Sequence, residues 1–255
     1  MKMIQSRSNP FFKELKVLGR RRKRDQLALF VVEGDRFVGE ALKNPGQVAY
    51  LVVSTAYDGA VGLQGVQTIV LDEQLFREIS DTVHSQGILA VVKKSPEVPF
   101  DLKEPILFLD GLQDPGNLGT IVRSAIAAGV RQIASGRGSV DIHNPKVVRA
   151  SAGGIFQVNH RTIDHEADFL KELKRLGYRL FGATAQAHQA FDEVVYPSKS
   201  LVVIGNEGSG ISPGILEELD QGIRIPMACG TESLNASVAA GIILYEVGKQ
   251  LKKYL

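Results

Sequence analysis

Short apolar runs alternate with amphipathic segments along the first third of the chain. Leu27–Val32, Val48–Val53, Val66–Val70 and Ile88–Val92 have strand length and are bounded by polar or turn-forming residues. Between them, Arg36–Lys43 carries helical spacing, and Asp72 is placed to cap a helix running to Ile79, while Glu33-Gly34 reads as a turn. Ahead of these, Asn9-Pro10 predicts a helix start, a cap followed by proline at the first helical position, and Phe11, Phe12, Leu15 and Leu18 line one face. The same helix is expected to end in Arg20-Arg21-Arg22-Lys23-Arg24. Together these elements predict a small α/β domain over residues 1–95. His84, in the polar turn T-V-H-S-Q-G, reads as a surface residue.

The pattern then breaks. Lys93–Pro105 holds three prolines and charges of both signs, which makes 96–105 the expected linker and 106–255 a second domain. That domain opens with the fully apolar Ile106–Leu109. A turn-rich loop, Asp110–Asn117, leads into a small-residue helix, Leu118–Ala128. Gln132–Ala134 is a strand, Asn144-Pro145 starts a helix through Ser151, and Glu166–Leu176 is amphipathic up to Gly177. Arg179–Gly182 closes on Ala183-Thr184-Ala185. Leu201–Ile204 runs directly into Gly205–Gly210, and Ile223–Ile225 stops at Pro226. A long helix extends from Asn235 to about Lys252. Two strands thus end in small-residue loops, and in open α/β sheets ligands bind just past the carboxyl ends of strands. A cofactor site is expected there.

Charge sharpens the first domain. Residues 1–30 carry nine Lys/Arg against two Asp/Glu, a net of +7, and the rest of the chain sums to −5. Cations are favourable at a helix end, so the run Arg20–Arg24 reads either as a solvated terminus or as an arm for a polyanion. Five adjacent cations repel one another, and RNA phosphate is the expected compensation.

Several chemistries have no signature here. There is no G-x-x-x-x-G-K-[ST], no G-x-G-x-x-G after the first strand and no G-x-S-x-G. His143, His160 and His165 lack metal-ligand spacing, so no metal is expected. The single cysteine, Cys229, excludes an internal disulfide, has no adjacent base and reads as a loop-filling thiol. With no apolar run of spanning length and no secretory signal in M-K-M-I-Q-S-R-S, a cytoplasmic, membrane-free location is expected.

The polar residues left at the strand ends are Asn117 and Arg123 after the first strand, Glu207 in the first glycine loop, and Ser233 and Asn235 after the second. Asn117 and Ser233 are also placed to cap helices, and Arg123 and Glu207 to form an ion pair. The strings N-L-G-T-I-V-R-S-A (117–125), I-G-N-E-G-S-G-I-S (204–212) and I-P-M-A-C-G-T-E-S-L-N-A-S-V-A-A-G (225–241) resemble the three motifs of the SpoU/TrmH family (SPOUT class) of RNA 2′-O-ribose methyltransferases. Residues 145–156 are similar to the family's intervening segment, and 32–42 with 80–92 to its ribosomal-protein-like substrate-binding domain.

The resemblance implies a SPOUT-type parallel-sheet α/β domain with a C-terminal trefoil knot, behind a small ribosomal-protein-like α/β domain. It also implies a homodimer, S-adenosylmethionine as cofactor, and RNA as substrate, ribosomal RNA ahead of transfer RNA. A non-catalytic RNA-binding protein of the same fold is the alternative. On the family pattern Asn117, Arg123, Glu207, Ser233 and Asn235 form the catalytic neighbourhood. Gly205, Ile225 and Leu234, with Thr184 and Ala185, hold the cofactor. Arg123 is cast as the group that takes the 2′-OH proton. A guanidinium normally stays protonated, so stabilising a developing alkoxide is the other role open to it.

Overall fold

The computed structural model describes residues 2–59, 65–228 and 233–253. Cys229 lies outside them. In chain order the elements are β1 (Lys2–Ile4), α1 (Pro10–Val17), α2 (Arg21–Leu27), β2 (Leu29–Glu33), α3 (Asp35–Leu42), β3 (Val48–Ser54), β4 (Thr68–Leu71), α4 (Glu73–Ile79), β5 (Ile88–Lys93), β6 (Ile106–Leu109), α5 (Pro115–Ala127), β7 (Gln132–Ser135), α6 (Pro145–Ala150), β8 (Asn159–Thr162), α7 (Glu166–Arg175), β9 (Arg179–Ala183), β10 (Ser200–Ile204), α8 (Pro213–Leu216), β11 (Gln221–Ile223) and α9 (Ala236–Gln250). They pack as two units: residues 1–96 with 141–156, and residues 97–140 with 157–255.

The first unit holds a mixed sheet in the order β1-β4-β3-β5-β2. β5 runs antiparallel to both of its neighbours, and β1, β4 and β3 are parallel. Asn9 caps α1 by accepting from the Phe11 N–H (2.9 Å), and Phe12, Leu15 and Leu18 enter the core with Ile69, Leu75 and Leu89. β1 has no counterpart in the sequence reading. It is a three-residue edge strand, too short to show an alternating pattern.

The helix does not run on through the cations as expected. α1 stops at Val17, Arg20 is extended, and a second helix starts at Arg21 and ends on Ala28 in a left-handed conformation. α2 takes up Leu27, so β2 begins at Leu29 instead. Arg20, Arg21 and Arg22 are exposed and Lys23 is half-buried. Arg24 is 2 % exposed. Its Nη1 donates to the carbonyls of Leu18 and Gly19, and its Nη2 to Asp141 Oδ2 at 2.6 Å. Arg24 is thereby withdrawn from the expected RNA-binding set, because its charge is already spent on a buried partner.

That partner begins the segment 141–156, which the sequence reading keeps in the second domain and which packs with the first unit. Asn144 caps α6 through the Lys146 N–H (2.9 Å), and α6 lies on β2, with the Phe30 ring 4.8 Å from His143. Burial alone would raise the Asp141 carboxyl, yet hydrogen bonds from His143 and Arg24 hold it well below its ordinary value. Burial, with the Lys94 and Arg24 charges, lowers His143 despite Asp141 beside it.

The second unit is an all-parallel sheet in the order β11-β9-β10-β6-β7-β8. β6, β7 and β10 are buried along their whole length, as strands covered on both faces must be. That continuous burial is why the apolar runs of β6 and β10 are legible, while β7 buries the polar Gln132 and Ser135 as well. β8, N-H-R-T, is a half-exposed edge strand and has no such run. The chain steps from β6 outward through β7 to β8, then crosses to β9 and returns to place β10 against β6. The order therefore reverses between β6 and β10, the place where open α/β sheets bind their ligands. β11 ends at Ile223, two residues before the expected stop, because Arg224 leaves the strand to bridge Ala190. α5 and α9 pack together, with Gly241 of α9 facing the Ser124 side chain.

Candidate active site

α5 begins one turn earlier than its apolar pattern suggests. Asp114 is the cap, its Oδ1 accepting from the Asn117 N–H at 2.7 Å, and Pro115 fills the first position. Asn117 is therefore no cap. It sits in the first turn with its side chain free for another task. Likewise Asn235, and not Ser233, caps α9: its Oδ1 accepts from the N–H groups of Ser237 (2.8 Å) and Val238 (3.4 Å) and from the Ser237 hydroxyl (2.6 Å). The two helix starts face each other.

Three of the expected residues join there in one chain of hydrogen bonds. Asn235 Nδ2 donates to Asn117 Oδ1 (2.9 Å), and Asn117 Nδ2 donates to Glu207 Oε1 (3.0 Å). Glu207 also accepts from the N–H of Asp114 (3.2 Å) and of Gln113 (3.3 Å). Partial burial would raise the Glu207 carboxyl, but these donors, just ahead of a helix N-terminus, lower it overall. Glu207 is thus bound as a carboxylate to Asn117 and not to Arg123, and the alternative of an Arg123–Glu207 ion pair is not what forms.

Arg123 is exposed, with no partner among the described residues. It shares the exposed face of α5 with Gly116, Thr120 and Ala127, each one turn from the next. Ser233 is exposed, ahead of the α9 cap.

The glycine loop after β10 is closed by its own backbone. The N–H of Asn206 donates to the Gly210 carbonyl (2.9 Å) and that of Gly210 to the Asn206 carbonyl (3.0 Å). Asn206 Oδ1 accepts from the N–H groups of Gly208 (2.9 Å) and Ser209 (3.0 Å), and its Nδ2 donates to the Gly111 carbonyl (2.8 Å). A Cβ on Gly205 would overlap the backbone of Gly210 and Ile211, so only glycine permits the closed loop. Asp110, buried at the end of β6, accepts from the Ser212 N–H at 2.6 Å and ties the loop's far end to the same strand.

Thr184 and Ala185 follow β9, the neighbour of β10, and the Thr184 N–H donates to the Ile223 carbonyl at the end of β11 (2.9 Å). Ile225 and Leu234 are half-buried beyond β11. The ends of β9, β10 and β11 thus bring the loops holding Thr184, Gly205 and Ile225 to one edge of the sheet. Asp110, Gln113, Asp114 and Asn206 were not singled out from the sequence. A signal for one of them existed, since Asp114-Pro115 repeats the cap-plus-proline pattern of Asn9-Pro10 and Asn144-Pro145.

Residues 104–245 match the SpoU rRNA Methylase family, and residues 9–90 match the MRM3-like substrate binding domain. The chain belongs to the SpoU rRNA methylase family. It is 34% identical over 250 residues to the 23S rRNA (guanosine(2553)-2′-O)-methyltransferase RlmP of Bacillus subtilis, spanning 97% of this chain and 99% of that protein. A Porphyromonas gingivalis structure placed in the TrmH family superposes with a TM-score of 0.84 at 33% identity, covering 95% of this chain and 98% of the other. The SpoU methyltransferase AviRb of Streptomyces viridochromogenes, in complex with AdoMet, also superposes at 0.84, with 27% identity and coverage of 96% and 98%.

Proposed function

We propose that this chain transfers a methyl group from S-adenosylmethionine to a ribose 2′-hydroxyl of ribosomal RNA. The observation that carries the reading is the chain Asn235–Asn117–Glu207, which draws the three family motifs together at the point where the strand order reverses. The residues present fit the cofactor. Gly205 leaves no side chain in the loop after β10, so main-chain groups line that edge, and the half-buried Ile225, Leu234 and Thr184 flank it with Ala185. When bound, S-adenosylmethionine supplies a methyl group already activated on a sulfonium.

The work left to the protein is to position the hydroxyl and handle its proton. Asn235, anchored as a helix cap, fixes the Asn117 amide. Asn117 and the two N–H groups hold the Glu207 carboxylate, which locks the glycine loop to the start of α5. Arg123, on the exposed face of that helix and unpaired among the described residues, is left to meet the RNA at the reacting ribose, as proton acceptor or as counter-charge to the developing alkoxide. Ser233 precedes the α9 cap and is assigned to the same neighbourhood. Residues 1–95 are assigned to RNA binding, with Arg20, Arg21, Arg22 and Lys23 as phosphate contacts.

We infer a homodimer through the second unit and a knot formed by the C-terminal motifs. The exposed Val238 and Tyr245 of α9 support the dimer. Among the described residues no helix is long and apolar enough to cross a membrane, and a cytoplasmic site of action is part of the proposal. The deciding experiment compares 2′-O-methyl positions in ribosomal RNA from cells with and without the gene, followed by restoration with purified protein and labelled cofactor. Identical methylation maps, or label found on a base instead of a ribose, would sink the assignment. Light scattering showing a 27.7 kDa particle at micromolar concentration would remove the dimer.

A further inference from the structure

In the first unit, the Glu33 carboxylate at the end of β2 is wholly taken up by one loop. Oε1 accepts from the hydroxyls of Ser80 (2.5 Å), Thr82 (2.8 Å) and Ser85 (2.7 Å), and Oε2 from the Asp81 N–H (3.1 Å). The loop is held from its other sides as well. The Asp35 N–H donates to Gln86 Oε1 (3.0 Å), and Arg149 Nη2 donates to Asp81 Oδ2 (3.1 Å). Gly34 has a φ of 96°, and a Cβ there would stand 2.7 Å from Gln86 Oε1, so the turn leaving β2 is fitted to the loop.

This ordering gains the unit no core. At the tip, Val83 is 94 % exposed and His84 is exposed beside it. Fixing a loop costs conformational entropy, and leaving an apolar side chain in water returns nothing. A rigid loop that presents such residues is arranged for a contact made elsewhere. Next to it lies a cavity of about 550 Å³ lined by Ser54, Phe76, Arg77, Val83, His84 and Gln86, within the usual size of small-ligand sites.

Charge decides what the cavity fits. Arg77 is paired with Glu73, and Arg149 with Asp81, so among the described residues no unpaired cation collects there for a phosphate. What remains is a mixed set of donors and acceptors beside an imidazole and an apolar tip, the equipment for reading the edge and face of an unstacked base. We propose that the Glu33-pinned loop 80–87 receives an unpaired nucleotide of the RNA substrate, with Val83 and His84 against the base and Glu33 as a positioning residue that never touches RNA. The inference rests on the RNA methyltransferase reading above.

The test uses the full chain and ribosomal RNA from cells lacking the gene. Val83→Ala and His84→Ala alter exposed side chains and leave thermal unfolding unchanged. His84→Ala is expected to raise the KM for RNA about tenfold, the scale of one base stack removed, and Val83→Ala to raise it by less, with kcat at saturating RNA and S-adenosylmethionine affinity unchanged in both. Glu33→Ala shifts KM in the same direction, and Glu33→Gln, which keeps an acceptor oxygen, recovers part of it. Single-stranded RNA is expected to compete better than duplex RNA with the wild type and to lose that advantage with His84→Ala. Unchanged KM in both tip variants overturns the inference while the proposed function stands. If the wild type transfers no methyl to RNA, the proposed function fails instead. The loop is then judged by direct binding of the same RNA, and equal affinity of wild type and tip variants overturns it.

Discussion

Asn117 and Asn235, 118 positions apart, share a hydrogen bond from the Asn235 amide to the Asn117 carbonyl oxygen at 2.9 Å. The bond sets the direction of the whole hydrogen-bonded chain. With its oxygen occupied, Asn117 must turn its amide nitrogen to Glu207. Replacing Asn117 by Asp removes that donor and sets a second carboxylate against the first. Asn117→Asp is expected to lose no more than about 1 kcal/mol of stability, because Glu207 is exposed and water replaces the lost donor, and to lower kcat far more than Asn235→Ala. The latter should cost about 1 kcal/mol, as loss of a helix cap. Urea unfolding and single-turnover methylation measure both.

Glu207 gives the site a pH signature. Its folded-state pKa lies below the ordinary value of 4.5, so its contribution to stability is present above that pH and is lost as pH falls through the lowered value. Glu207→Gln is therefore expected to be less stable than wild type at neutral pH, with the gap closing in acid. A gap that stays constant from pH 7 down to 3 would show that the carboxylate contributes nothing.

Arg123→Ala removes an exposed side chain that has no partner among the described residues. Stability should change by less than about 0.5 kcal/mol and cofactor affinity should hold. Turnover should fall at least about a hundredfold, the scale of removing a proton-transfer group. Near-wild-type methylation by this variant would take Arg123 out of the chemistry.

Gly205→Ala tests the glycine loop, since the new Cβ meets the backbone of Gly210 and Ile211 with no flexible side chain to move aside. Calorimetry should show S-adenosylmethionine binding abolished while heat unfolding remains cooperative. Retained affinity would place the cofactor away from this loop.

The basic run divides into two kinds of residue. Removing Arg24 leaves Asp141 charged in a buried site, and Arg24→Ala should cost about 3–5 kcal/mol without altering the salt dependence of RNA binding. Neutralising Arg20, Arg21, Arg22 and Lys23 should do the reverse. Stability should hold, and the slope of log affinity against log salt should flatten by about 0.7–0.9 for every phosphate left without its cation. If the quadruple variant keeps the wild-type slope, these cations are only a solvated helix start.

Elements whose signals are local can be read directly from the chain. Ile106–Leu109 and Leu201–Ile204 are buried on both faces, and full burial writes an uninterrupted apolar run. Asn9-Pro10 and Asn144-Pro145 announce helix starts because cap and proline act within one turn. The motif strings likewise contain Asn117, Glu207 and Asn235, the three residues that hydrogen bonds join in space. Tertiary structure decided what depends on partners distant in the chain. Nothing near Arg24 distinguishes it from the four cations before it; Asp141, on a segment that packs with the first unit, does. Nor could the sequence tell whether Asn117 caps a helix or bonds to Glu207. That choice follows from where β10 returns beside β6, and a hydrogen bond reads distance in space, not separation along the chain.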